Sequence, residues 1–292
     1  MPLLSALKGR SGPGTACRRA KLAQMDLDDA LQTTRGVSGR VHVSIAEAWC
    51  IKGRAHGGYL AALAERACAA VAERPEATLR TITVHYLRAV AAGPAEFQVT
   101  VEHSGRRMAT VSYRMHQGGA STIVGVASFA PSGEPFVFRE PTLPPRYPPA
   151  ESLPRSLDVP YVPRSFLELV DVRLAPDPPL FSQSATARVG GWVRLAQRRR
   201  PDVSLLLVLC DVFPRALMAT MAHCPAVPPP TTSLHMLIHE PDIAARLGDN
   251  EHLIAELTTR RVNDGFFDED STLWSADGAL LAQGRQLAIN IV

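Results

Sequence analysis

The sequence predicts an α+β chain in which one unit, an apolar helix wrapped by an antiparallel sheet, is used twice. Three observations lead there. Residues 131 to 163 hold ten of the chain's 24 prolines and divide its 292 residues almost evenly. Such density rules out helix interior and central strand, so the stretch reads as a connector. On both sides the same order recurs: helix, strand, hairpin, strand, a repeat of about 120 residues and too long for a solenoid. The second helical run, "SLLLVLCDVFPRALM" at 204–218, is apolar on nearly every face, as a helix enclosed by its own sheet must be.

Left of the connector, "AHGGYLAALAERACAAVAER" reads as a helix from near Gly57, with Leu60, Leu63, Ala67 and Val71 on one face. "LRTITVHYLRAV" alternates as a strand does. "AEFQVTVEHSG", "RRMATVSYRMHQGG" and "ASTIVGVASFA" follow as a meander rich in Val, Thr and aromatics, broken by glycine turns. Right of it come "ATARVGGWVRLA", a helix from Asp202 to about Met218, and the strand "TTSLHMLIHE". "EHLIAELTTRRVNDG", "FFDEDSTLWSADG" and "ALLAQGRQLAINIV" close the chain as a second meander. The expected division is a basic tail at 1–25, a first unit at 26–132, a connector at 133–163 and a second unit at 164–292.

Hydrophobic residues make up 46% and charged ones 20%. No apolar run reaches the roughly 18 residues of a bilayer span. Of the net charge of +3, residues 1–24 supply +5 through Lys8, Arg10, Arg18, Arg19 and Lys21, leaving −2 for the rest. A nucleic-acid-binding surface on the body is therefore not expected. In "MPLLSALKGR" the apolar part is short and precedes the charges, unlike a secretory signal, and Met25 is an alternative start. Five widely spaced cysteines without CxxC fit reduced thiols in a cytoplasmic protein, and no metal or cofactor is expected.

Asp211 is the residue that most needs a reason. An ionised carboxylate among Leu, Val and Cys costs several kcal/mol, on the order of a single-ion desolvation penalty, unless it is paired. Pro214 cannot bond the Cys210 carbonyl, so the helix should kink or end just beyond Asp211. His56-Gly57-Gly58 opens the first helix, where free N–H groups and the dipole favour negative charge; close helix packing explains the glycines equally well. His235 and His239 lie about 13 Å apart on a strand, too far to share a metal. No GxSxG, GxGxxG or P-loop occurs. The groups Arg106-Arg107, Arg198 to Arg200 and Arg260-Arg261 could meet phosphates, though solvated charge is their default role.

"HGGYLAA", "SGRRMATVSYRM" followed by "ASF", "LCDVFPRAL" and "LWSADGALLAQGRQLAI", in that order, resemble the double-hotdog acyl-CoA thioesterases, the group of acyl-CoA thioesterase II. The resemblance covers roughly residues 36 to 292. It implies a double hotdog that hydrolyses acyl-CoA to a carboxylic acid and CoA. It also implies a water oriented by Asp211, Thr231 and Gln286, with Thr232 one alignment slip from Thr231. By the same likeness Gly58, with Gly57 and His56, is the candidate to meet the thioester oxygen. The chain departs from acyl-CoA thioesterase II in carrying His56 before the glycines and Tyr59 after them, which bears on acyl-chain preference. The substrate implied is acyl-CoA, and a homo-oligomer is expected. Two other readings remain: a hotdog hydratase or dehydratase in which an Asp and a His, His56 or His85, act on the acyl chain, and an acyl-CoA-binding protein without turnover.

Overall fold

The structure is a computed structural model and describes residues 26–132, 144–155, 162–240 and 242–290. The expected basic tail, with Met25, lies outside the described residues, as do 133–143 and 156–161 of the expected connector.

The first half opens with helix α1 (Leu27–Ala30) and strands β1 (Thr33–Arg35) and β2 (Arg40–Ile45). A separate hairpin follows, β3 (Cys50–Ile51) and β4 (Arg54–Ala55), then helix α2 (Gly57–Ala72). Both residues of its turn take positive φ, Lys52 at 49° and Gly53 at 76°, the hand a two-residue hairpin needs. Strands β5 (Ala77–Tyr86), β6 (Gly93–Ser104), β7 (Ala109–Gln117) and β8 (Ala120–Pro131) complete the half. The second half repeats the plan with α3 (Arg164–Leu167), β9 (Val170–Leu174), β10 (Ala187–Leu195), α4 (Val203–Leu209) and β11 (Thr231–Ile238). It ends with α5 (Ile243–Arg246), β12 (Leu253–Thr259), β13 (Val262–Asn263), β14 (Phe266–Trp274) and β15 (Leu280–Ile289).

Twelve of these strands run in the order β1-β2-β6-β7-β8-β5-β11-β15-β14-β12-β10-β9, with β13 added beside β14, and every pairing is antiparallel. The order reads alike from either end. Its two halves meet at β5 and β11, where Ser233 to Leu237 pair with His85 to Thr81 and His235 Nδ1 bonds Thr83 Oγ1 at 2.8 Å. Each half is thus the predicted hotdog, and the pair forms one continuous sheet around two helices.

Those helices touch each other as well as the sheet. Helix α2 is therefore buried around most of its circumference, Ala61, Ala62, Ala64 and Ala67 included, rather than along the single face expected. Its alanines keep it thin enough for α4 to lie alongside. Leu205 to Leu209 of α4 are buried among the same residues, and one apolar core runs through both halves. The expected second helix is shorter than its apolar run: it stops at Leu209, and Ala216–Ala219 form a separate 3-10 turn. Pro214 lacks an N–H to bond Cys210 O and disfavours the helical region for the residue before it, so the helix cannot run on to Met218. The strands β1, β2 and β9 and the β3–β4 hairpin were not anticipated; β2 alternates buried and exposed, but the others are too short to carry a period.

A polar cluster sits where α2 passes the start of α4. Asp202 caps α4 by accepting from Leu205 N at 3.0 Å and pairs with Arg199 and Arg66. Ser204 Oγ donates to Glu65 Oε2 at 3.1 Å and accepts from Arg66 Nε at 3.0 Å. Burial pushes the Glu65 carboxyl up to about 7, against the pull of Arg66. Native Glu65 therefore holds its proton more tightly than the unfolded chain, where it titrates near 4.5, and stability is lost as pH rises from there to about 7. Glu65→Gln should gain on the wild type between pH 5 and 8, by on the order of 3 kcal/mol at most, in urea-melt midpoints. A difference independent of pH would mean that Arg66 and Ser204 keep Glu65 ionised.

Candidate active site

Asp211 lies just past the end of α4, where Asp211 N reaches back only as far as Val208 O, at 3.2 Å. Its side chain crosses to the other half of the molecule. Oδ2 accepts from Gly58 N at 2.9 Å, in the first turn of α2. Close approach explains both glycines: a Cβ on Gly58 would stand 2.5 Å from the backbone oxygen of Leu207, and one on Gly57 2.7 Å from the side-chain oxygen Asp211 Oδ2. The glycine pair thus allows approach to α4 and its carboxylate rather than to the sheet alone.

His56 caps α2. Its Nδ1 accepts from Tyr59 N at 3.3 Å, so the proton sits on Nε2, which donates to Asp211 O at 2.8 Å. Burial holds the imidazole below its ordinary value, in spite of Asp211 beside it, and the neutral ring suits that tautomer. Tyr86 OH donates to Gly57 O at 2.8 Å and closes the same corner.

On the far side, Asp211 Oδ1 accepts from Arg215 Nη1 at 3.2 Å and from Gln286 Nε2 at 3.2 Å. Gln286 Nε2 also donates to Glu269 Oε1 at 3.3 Å, and Arg215 Nη1 to the same oxygen at 2.9 Å. Thr231 Oγ1 donates to Gln286 Oε1 at 2.8 Å and accepts from Arg215 Nη2 at 2.7 Å. Asp211, 8% exposed, would be raised by burial, yet Arg215, His56, Gln286 and Gly58 together hold it below the usual carboxylate range. Burial wins at Glu269, which is raised despite Arg215.

The expected trio, Asp211, Thr231 and Gln286, is thus one connected chain of hydrogen bonds. Thr231 rather than Thr232 belongs to it: the register of β11 against β15 slips between Thr231 and Ser233, and the bulged Thr232 donates instead to Leu287 O at 2.9 Å. Gln286 is 2% exposed and stands behind the cavity wall, so it holds Asp211 and Thr231 rather than facing a ligand. Gly58 spends its amide hydrogen on Asp211, whereas Gly57, the first residue of α2, has no acceptor on its amide among the described residues. Sequence reasoning missed Arg215, Glu269 and Tyr86. The signals were present: Arg215 stands four residues after Asp211, and Glu269 shares the inward parity of Phe267, Ser271 and Leu273 in β14.

His56, Gly57, Asp211, Arg215 and Thr231 line one end of a cavity of about 330 Å³ that joins the two halves. Its walls are largely apolar, with Ile51, Leu60, Val90, Phe166 and Val212 among them, and Arg54 and Arg88 are exposed at its rim. The arginine groups singled out in the sequence are elsewhere; Arg198 pairs with Asp249, Arg199 with Asp28 and Asp202, and Arg260 with Asp270. Among the described residues no cluster of three His, Cys, Asp or Glu could hold a metal, and no helix is long and apolar enough to cross a membrane.

Residues 45–130 match the acyl-CoA thioesterase N-terminal domain and residues 142–289 the acyl-CoA thioesterase C-terminal domain. The chain belongs to the acyl-CoA thioesterase family. It is a thioester hydrolase, and one family domain matches within each half of the chain. Among solved structures it is similar to a provisionally assigned thioesterase II from Thermobifida fusca YX, 25% identical over 91% of this chain and 99% of that one, with a TM-score of 0.78. A hot dog protein of unknown function from Alicyclobacillus acidocaldarius is 24% identical over 91% and 98% of the two chains, TM-score 0.82. The acyl-CoA thioesterase II TesB2 of Mycobacterium marinum shares the fold at 18% identity over 90% and 97%, TM-score 0.73. The sequence matches no curated protein.

In this thioesterase the helix crossing fixes the carboxylate, and Gly58 is its tightest point. Gly58→Ala should cost about 1–3 kcal/mol in denaturant melts, as overpacked cores do, because backbone oxygens of α4 stand in the way. A variant as stable as the wild type would mean that the helices can separate without penalty.

Proposed function

We propose that the protein hydrolyses acyl-CoA to a carboxylic acid and free CoA, using a water bound between Asp211 and Thr231. The observation that carries this reading is the Asp211 carboxylate, ionised at the end of an apolar cavity with Thr231 tied to it through Gln286. Asp211 Oδ2 takes one hydrogen bond from Gly58 and keeps a further lone pair for a water proton. Thr231 Oγ1 gives its hydrogen to Gln286, accepts from Arg215, and can accept once more. A water that donates to both turns its own lone pair outward, toward a thioester carbonyl carbon in the cavity.

In the reaction, the water oxygen forms the new bond to that carbon as its proton passes to Asp211. The carbonyl oxygen takes the negative charge, and the Gly57 amide at the positive end of α2 is the donor placed to meet it. Collapse breaks the carbon–sulfur bond, and the departing CoA thiolate takes the proton back. The acyl chain lies along the apolar wall. The CoA phosphates reach Arg54 and Arg88 at the rim, which replace the arginine groups suggested by the sequence.

His56 argues against hydration of the acyl chain: both its ring nitrogens are occupied by backbone groups, leaving no acid or base to act on a substrate. His85 lies on the exposed side of β5, away from the cavity.

Thiol release from short, medium, long, branched and aromatic acyl-CoAs tests the reading. Asp211→Asn should lower turnover by about 10²–10⁴-fold, the usual contribution of a general base. Undiminished turnover would sink the mechanism, and ligand binding without hydrolysis by the wild type would sink the assignment of this reaction. Paired Arg54→Ala and Arg88→Ala changes should raise KM for acyl-CoA on the order of tenfold, as lost phosphate contacts do, and leave N-acetylcysteamine thioesters unaffected. Equal effects on both substrates would remove these arginines from phosphate binding.

A further inference from the structure

Two buried carboxylates, Asp211 and Glu269, share one amide donor, Gln286 Nε2, and one guanidinium nitrogen, Arg215 Nη1. Like charges that close, out of water, do not both ionise unless a cation lies between them. Arg215 is that cation, with a side chain only 14% exposed. Glu269, with its second oxygen, accepts from Ala216 N at 2.7 Å, so it grips the chain on either side of the Arg215 carbonyl and keeps the guanidinium from turning to solvent. The other groups facing Asp211 are His56 at the start of α2, Tyr86 on β5 and the neighbouring Cys210. Burial keeps Tyr86 and Cys210 protonated, and His56 is neutral.

We propose that Arg215 is a positioning residue of the hydrolytic site, anchored by Glu269, which holds Asp211 as a carboxylate and fixes Thr231 Oγ1 at the cavity wall with its remaining lone pair open to a water. Asp211, Glu269 and Thr231, which accept from it, come from three elements: the turn after α4, β14 and β11. A single planar fork can span them, whereas a lysine ammonium is a point charge on a flexible stem. Arg215 therefore does two separable things. Its charge favours ionised Asp211, and its shape orders Thr231.

The inference rests on the proposed role of Asp211, and the test separates the two. Thiol release is followed against pH for the wild type, Arg215→Gln, Arg215→Lys and Glu269→Gln, with thermal melts as the check on folding. Removing the cation leaves burial and Glu269 to raise Asp211, so the acid limb of kcat/KM in R215Q should lie about one pH unit or more above that of the wild type. R215K should restore the limb, because the charge returns, while kcat stays on the order of tenfold low, because the fork does not. E269Q should lower kcat without moving the limb upward, since the glutamine keeps an acceptor for Arg215. A wild-type pH profile in R215Q, or an undiminished kcat in R215K, overturns the inference; should R215Q not fold, R215K alone decides. Turnover that is insensitive to D211N would instead defeat the reading on which it rests.

Discussion

The site depends on the crossing of α2 and α4. Neither hotdog contains it alone: the carboxylate and threonine come from the second half, and the helix N-terminus that receives the carboxylate comes from the first. Gly58 N donates to Asp211 Oδ2 at 2.9 Å, and His56 Nε2 to Asp211 O at 2.8 Å, so one residue is clasped by side chain and backbone across the interface. The missing Cβ at Gly58 and the alanines of α2 make that approach sterically open. The pairing of β5 with β11 joins the two halves on the sheet side of the same crossing.

Duplication gives this crossing a counterpart. Gly58 lies seven residues before Glu65 on α2, and Ser204 lies seven before Asp211, so Ser204 stands to Glu65 as Gly58 stands to Asp211. In both places a carboxylate accepts from the start of the opposite helix, at 3.1 Å from Ser204 Oγ in one and 2.9 Å from Gly58 N in the other. The surroundings differ. Around Glu65 the space is filled by Arg66, Asp202 and Arg199, which satisfy one another. Around Asp211 the apolar walls stand back and leave the cavity. A fold with two equivalent helix ends thus presents a ligand-sized space at one of them, because arginine side chains occupy the other.

Much of this was legible in the sequence because it is periodic or local. The alternating runs gave β5 to β8, β11, β12, β14 and β15, and the all-round apolarity of the second helical run gave an enclosed helix. Asp211 stood out by its cost in that company, while Thr231 and Gln286 came from the family likeness and not from any pattern of their own. Other features are properties of the assembled sheet and carry no local signature. The bulge that selects Thr231 over Thr232 exists only in the pairing of β11 with β15. Arg54 and Arg88 are single basic residues 34 positions apart, brought to one rim because Ala55 N bonds Val90 O, while the conspicuous basic clusters found carboxylates or solvent. Glu269 was readable in principle, as a carboxylate with inward parity.

Pro214 shows how one covalent constraint reaches the chemistry. Were the helix to run on through Met218, Arg215 would lie one turn beyond Asp211 on the same face, an ordinary surface pair of the i, i+4 kind. The proline ends it, and Arg215 takes an extended backbone, φ −58° and ψ 135°, before the chain winds into the 3-10 turn at Ala216–Ala219. That reversal turns the guanidinium back over the end of α4, within reach of β11 and β14, and presents Ala216 N to Glu269. The buried carboxylate that looked costly in an apolar helix therefore lies outside the helix, at its end, where the break supplies its own cation. Local backbone chemistry, rather than a longer list of polar residues, lets an ionised Asp persist beside an apolar cavity.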